Sequence, residues 1–138
     1  MKTVNLVRGL RNNNPGNIRE NQRVDYDWEG EAANDTDSEF EEFVSPEYGV
    51  RAMVRILRSY RNRGVTTLGE IISTWAPAIE NDTGSYINSV SQKTGLSAVD
   101  EVTELNYLPL VKAIIRHENG LQPYSDELLK HGIEMGLA

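Results

Sequence analysis

The residue pattern best suited to chemistry in this chain is a carboxylate at the end of an apolar helical stripe. Residues 106–120 read N-Y-L-P-L-V-K-A-I-I-R-H-E-N-G. In a helix, Tyr107, Val111, Ile114 and Glu118 fall at steps of four, three and four, so they share one face. Burial and the negative end of the helix dipole both disfavour the charged form of a carboxyl placed there, and a protonated carboxyl is what a general acid requires. Arg116 and His117 obey the ordinary rule of basic residues in a last turn, whereas Glu118 breaks it. Broken local rules concentrate at functional sites. On residue physics alone the default is a solvated Glu at a fraying helix end, with Gly120 just past the cap, since most charged residues near helix ends are merely solvated.

A second constellation is R-N-N-N-P-G-N-I-R at residues 11–19. Three Asn residues, Pro15 and Gly16 make a strong turn signal leading into a short strand. A turn that presents the amides of Asn14 and Asn17 beside Arg19 suits carbohydrate, because sugar hydroxyls and N-acetyl groups need donors and acceptors close together. It is also simply a well-made turn.

Several elements must position these residues. From residue 24 to residue 47 the chain carries ten of its 21 acids, most of them necessarily solvated. Trp28, Phe40, Phe43 and Val44 can anchor an irregular antiparallel hairpin or small sheet among them, and Trp28 is a candidate platform for a sugar ring. D-T-D-S-E at 35–39 faintly suggests a calcium loop, but Phe40 stands where that loop needs Gly, so no metal is expected. Ser45, Pro46 and Glu47 start a helix that Gly64 stops, burying Val50, Met53, Val54, Leu57 and Tyr60. Its outer face carries Arg51, Arg55, Arg58, Arg61 and Arg63, expected to pair with the acidic stretch.

The capping box T-L-G-E at 67–70 opens a second helix, which buries Leu68, Ile71, Ile72 and Trp75 and ends before Pro77. A third spans 85–93 with Tyr86, Ile87 and Val90 inward, stopped by Gly95. The Glu118 helix tolerates Pro109 only in its first turn. A last helix begins at Ser125, packs Leu128, Leu129 and Ile133, and ends at Gly136. His117 neighbours Glu118, but adjacent helical residues point about 100° apart, so it need not assist.

Three segments carry a resemblance. A-I-I-R-H-E-N-G at 113–120 resembles the catalytic-helix signature of lysozyme-like lytic transglycosylases, which cut the glycan of bacterial peptidoglycan. N-N-N-P-G-N-I-R at 12–19 is similar to a motif that opens many phage-encoded lysozyme-like proteins. Tyr86-Ile87-x-x-Val90 looks like a segment of such enzymes whose Tyr hydroxyl lies close to the catalytic acid. The resemblance implies a mainly α, lysozyme-like α+β fold of about five helices with a small β-hairpin lobe. It assigns Glu118 as the acid and Tyr86 as its support. The turn motif precedes the Glu helix, the reverse of the order in related bacterial enzymes, which we read as circular permutation, cheap when parental termini lie close together.

The chemistry so implied is cleavage of the β-1,4 bond between N-acetylmuramic acid and N-acetylglucosamine, by a transglycosylase or a muramidase, without cofactor. Glycoside hydrolysis usually takes a second carboxylate, for which Glu39 is the candidate, although lytic transglycosylases manage without an essential one. The rival readings are a non-catalytic virion component that binds glycan, and a murein peptidase. The peptidase usually relies on zinc ligands or a Cys nucleophile, and this chain has no Cys and two separated His residues.

Composition bounds the rest. At 138 residues one domain, 1–138, is expected. A net charge of -7 argues against nucleic acid as a partner, and no apolar run approaches a membrane span. The first residues, M-K-T-V-N-L-V-R-G-L, lack the apolar core of a secretory signal. The expectation is a phage enzyme held in the host cytoplasm or in a virion beside other virion proteins, acting on the periplasmic wall.

Overall fold

Helical periodicity dominates the chain, and in the computed structural model it folds into a mainly α architecture. The structure describes residues 7–20, 28–33, 36–78 and 82–138. Among the described residues six α-helices follow in order: α1 (Arg8–Arg11), α2 (Pro46–Asn62), α3 (Leu68–Trp75), α4 (Thr83–Thr94), α5 (Tyr107–Asn119) and α6 (Asp126–Leu137), with a 3₁₀ turn at Glu104–Asn106 leading into α5.

The local stop and start signals act as their chemistry dictates. Pro46 occupies the first turn of α2, where its missing N–H costs nothing. At α3 the Thr67 side chain accepts from the Glu70 N–H while the Glu70 side chain accepts from the Thr67 N–H, a reciprocal cap contributing about 1 kcal/mol. Gly120 closes α5 with φ of 79°, a conformation that favours Gly. Helix α4 begins two residues earlier than 85, because Asp82 rather than Ser85 caps it and accepts from the Ser85 N–H.

Helix α5 is the hub, touching α1, α2, α4 and α6. Tyr107, Leu110, Val111, Ala113, Ile114 and Ile115 are all buried, so its apolar stripe widens into nearly a full face. Helix α6 lies close along α2 because Gly132 and Gly136 face Val50 and Val54, where any Cβ would come within 2.7 Å of the valines. The arginines of α2 divide their work. Arg51 pairs with Glu29 of the acidic stretch at 2.9 Å, as expected. Arg58 instead donates to the Gly136 carbonyl at 2.9 Å and Arg61 to that of Val102 at 3.1 Å, since orphan carbonyls at chain turns and helix ends offer fixed acceptors.

The expected hairpin is only partly visible. Among the described residues its segments meet in isolated antiparallel bridges, Arg19 with Phe40 and Glu31 with Phe43, and no longer strand. Residues 21–27, which include Asp25 and Asp27 of the acidic stretch, lie outside the described residues, as do residues 34–35 of the rejected calcium loop and residues 79–81 of the loop before α4. Dense like charge and Gly30 in a left-handed conformation keep the described part from forming a ladder.

The turn at 11–19 is a bracket made of asparagines. Asn12 Nδ2 donates to Asp37 at 2.9 Å, and Asn13 Nδ2 donates to the Phe43 carbonyl at 3.1 Å. Asn14 Nδ2 donates to the carbonyls of Ile18 and Glu41, while its oxygen accepts from the Ile18 N–H. Asn13 and Asn17 take left-handed φ values of 53° and 50°, which Asn tolerates better than most residues. The bracket thus bolts the N-terminal turn to residues 37–43.

Asp37 is the anchor of that bracket. Arg8 grips it with two hydrogen bonds, at 2.6 and 2.5 Å, and its side chain is almost fully buried. The Arg8 guanidinium, reinforced by the backbone N–H groups of Glu39 and Phe40 and by Asn12, holds the carboxyl far below the usual carboxylate range against the effect of burial. A carboxyl lowered in this way stabilises the fold above about pH 4 and loses that contribution as acid protonates it in the folded state. Asp37→Asn should therefore lower the melting temperature at neutral pH, with the gap to wild type narrowing as pH falls below about 4. A gap that does not change with pH would show that the ion pair is not its source.

Candidate functional site

Three distant segments converge on the Glu118 carboxylate. Asn17 Nδ2 donates to Oε1 at 2.9 Å, and the Tyr86 hydroxyl donates to Oε2 at 2.8 Å. Asn17 is presented by the left-handed turn, Tyr86 by α4, and Glu118 by the last turn of α5. A second residue of that turn secures the geometry: Asn119 is buried and donates to the Pro15 carbonyl at 2.8 Å, tying the bracket to α5.

Tyr86 is fully buried. Burial first, then the Glu118 charge and the hydrogen bond to it, push its phenol far above the ordinary tyrosine range. It is therefore a neutral hydroxyl at any physiological pH. A neutral hydroxyl can donate to a carboxylate and can turn to accept from a protonated acid, so it suits either state of Glu118. The imidazole of His117 stacks on the Tyr86 ring at 3.7 Å between centroids and 26° between planes, roofing the phenol from solvent. Helical spacing alone gave His117 no part to play; the packing of α4 against α5 supplies one.

A phenol held neutral stabilises the fold fully below the unfolded value, about pH 10, and stops doing so as pH rises towards the folded value. The phenols of Tyr60, Tyr107 and Tyr124 are raised by burial as well. Unfolding free energy should fall above about pH 10, and Tyr86→Phe should make that fall shallower. Denaturant unfolding across pH 8–11 measures both slopes; equal slopes would mean that Tyr86 ionises in the folded chain.

Glu118 opens onto a cleft of about 390 Å³. Gly16, Asn17, Ile18 and Arg19 of the bracket form one side, with Phe40 beside them. Ile56 and Tyr60 of α2, and Trp75, Ala76 and Pro77 at the end of α3, form the other. Tyr60 and Trp75 meet edge to face, with ring centroids 6.4 Å apart, giving the cleft an aromatic wall. One side-chain amide, three aromatic residues, one guanidinium and one acid line it, groups that can meet both polar and apolar faces of a ligand.

The remaining candidates fall elsewhere. Asn14 has no exposed surface and both ends of its amide are engaged within the bracket, so it is structural and offers no donor to a sugar. Trp28 packs half-buried against the hydrophobic core and does not line the cleft; Trp75 holds the place expected of it. Glu39 is more than half exposed, faces Arg8 at 3.5 Å and Arg19 at 4.0 Å, and is not among the cleft-lining residues. Phe40, Tyr60 and Trp75 were legible in the sequence only as apolar anchors. Glu20, Glu31 and Glu41 have ligand atoms within 4.8 Å of one another, the one group among the described residues that could share a cation. It does not line the cleft.

No family model matches the sequence. The chain is, however, 45% identical over 131 residues to Protein P5 of Pseudoalteromonas phage PM2, an alignment covering 94% of this chain and 82% of that protein. The chain belongs to the Protein P5 family. Among the described residues, no helix is long and apolar enough to cross a membrane.

Proposed function

We propose that the chain is a peptidoglycan-degrading enzyme of lysozyme-like type that cleaves the β-1,4 bond between N-acetylmuramic acid and N-acetylglucosamine. One observation carries the reading: the Glu118 carboxylate, held by Asn17 and Tyr86, is the single acid lining the cleft among the described residues. Protonated Glu118 gives its proton to the leaving glycosidic oxygen as the bond to the muramic acid carbon breaks. The carboxylate left behind then accepts a proton either from an attacking water or from the muramic acid 6-hydroxyl, which closes on that carbon. The second route ends in an anhydro sugar. It is favoured because Glu39 stands outside the cleft lining and so supplies no nucleophile or base there.

On this reading the helical body is a circularly permuted lysozyme-like fold, and the bridged segments around Phe40 and Phe43 are its reduced hairpin lobe. A relative from a phage fits a role in lysis or in a virion, alongside other virion proteins, with action on the periplasmic wall. The test is incubation with purified peptidoglycan of several types and mass spectrometry of soluble products. Anhydro ends identify a transglycosylase and hydrated reducing ends a muramidase. Folded protein that releases neither overturns the enzymatic reading in favour of a glycan-binding virion component.

A further inference from the structure

Gly9 breaks a local rule. It lies within α1, is buried, and has no positive φ. Ala is the better residue there by intrinsic preference, so the missing side chain answers a need for space rather than for backbone freedom. A Cβ at Gly9 would overlap Asn119 Oδ1, come within 2.5 Å of Asn17 Oδ1 and stand 3.0 Å from the Asn14 carbonyl oxygen. Three oxygens thus close over one bare α-carbon. Two of them belong to amides whose nitrogens are already committed. Asn17 Nδ2 donates to Glu118 Oε1 at 2.9 Å, and Asn119 Nδ2 donates to the carbonyls of Pro15 at 2.8 Å and Ile115 at 3.0 Å. Asn119 Oδ1 is buried and makes no hydrogen bond among the described residues, so the weakly polarised Cα–H of Gly9 is what it meets.

We propose that Gly9 is a positioning residue for the acid: its bare α-carbon is the seat on which the oxygen end of the Asn17 amide rests, and that seat turns the nitrogen end to Glu118. The inference rests on the function proposed above, in which Glu118 must be held in place. An amide is a rigid plane with its oxygen and nitrogen on opposite sides of one carbon. A side chain added at Gly9 pushes the oxygen end away, and the nitrogen end leaves the Glu118 carboxylate with it. The oxygen has little room to swing aside, because Asn17 holds a left-handed φ of 50° and Asn119 closes on the same α-carbon from α5. A reversed Asn17 amide would set its own oxygen against the ionised Glu118 carboxylate, two acceptors with no proton between them. Small displacements matter here, since misplacing a reacting group by about 1 Å costs about 100-fold in rate.

The test compares wild type, Gly9→Ala, Asn17→Gly and the double variant, by NMR of the side-chain amides and by kinetics on soluble peptidoglycan strands. Asn17→Gly removes the amide while keeping the left-handed turn. In wild type the Asn17 amide protons should show stronger NOEs to the Glu118 side chain than to the Gly9 α-protons, and should exchange slowly with water. Gly9→Ala should lose both signatures, and its kcat should fall about tenfold or more with KM changed by less than about twofold. In the Asn17→Gly background, adding Gly9→Ala should change kcat by less than about twofold, because the route from residue 9 to the acid is already cut. A merely structural Gly9 would lower kcat by the same factor in both backgrounds. That result, wild-type NOEs in Gly9→Ala, or a wild-type amide with its protons towards Gly9, overturns the inference and leaves the proposed function standing. The last of these needs only the wild-type chain, so it decides the matter even where Gly9→Ala fails to fold. If folded wild type releases no fragments, the proposed function falls, and the amide NOEs alone decide whether Gly9 seats Asn17.

Discussion

Glu118→Gln should leave the fold intact and reduce release of soluble fragments from peptidoglycan by roughly two to four orders of magnitude, the usual worth of a positioned general acid. Gln is close to Glu in shape and keeps both local contacts. Its carbonyl can still accept from Asn17 Nδ2, and its amide N–H can donate to a Tyr86 hydroxyl turned to accept. What the variant lacks is the proton that leaves with the glycosidic oxygen. Far-UV circular dichroism and the melting temperature should match wild type while the fragment yield collapses. Glu118→Asp separates chemistry from reach, since it keeps the acid but withdraws it by one methylene from Asn17, Tyr86 and the cleft. It should retain more activity than Gln and less than Glu. Wild-type fragment release by the Gln variant would remove Glu118 from the mechanism.

Gly49→Val should unfold or loosen the protein, and whatever remains folded should have lost the site. Gly49 lies in the first turn of α2 with its α-carbon against the asparagine bracket. A Cβ there would collide with the Asn13 carbonyl oxygen and come within 2.8 Å of Pro15 Cδ. Neither neighbour is the free end of a flexible side chain, so the bracket itself must move. Overpacking of this kind costs about 1–3 kcal/mol, and a backbone obstacle puts it towards the upper end. The movement also reaches the chemistry, because Pro15 is held by Asn119 and Asn17 holds Glu118. Thermal unfolding and fragment release should therefore fall together, whereas Glu118→Gln changes only the second. An unchanged melting temperature in Gly49→Val would mean that α2 and the bracket are not in the contact described.

These two substitutions divide along the line between local and long-range information. The helices were legible because the forces that start and stop them act within a few residues. Pro46 sits in the first turn of α2, the Thr67–Glu70 box forms, and Gly120 and Ser125 terminate and cap as their chemistry requires. Helix α1 has no such signal, because it is a four-residue turn with no side-chain cap. The hairpin is only partly legible for a related reason: alternation nominates a strand, but a ladder depends on the partner segment, and among the described residues isolated bridges form around Phe40 and Phe43.

The sequence by itself determined that a carboxylate would end an apolar stripe on α5, and that an asparagine-rich turn would stand near the start of the chain. Which polar groups meet was decided only by the tertiary structure. Asn17 and Glu118 are 101 positions apart, and Tyr86 is 32 from Glu118, so no local spacing could pair them. Asn14 and Asn17 are the same residue type in the same turn, yet one is sealed inside the bracket and the other faces the acid, because the left-handed backbone at Asn17 turns its side chain outward from the bracket towards α5. Trp28, an anchor and a candidate platform alike in the sequence, packs against the core, and Trp75, legible only as an apolar anchor, lines the cleft. Composition and periodicity tell a side chain whether to be buried; only the docking of α3 onto α4, and of α4 and the bracket onto α5, determines which buried edge becomes the wall of a cleft.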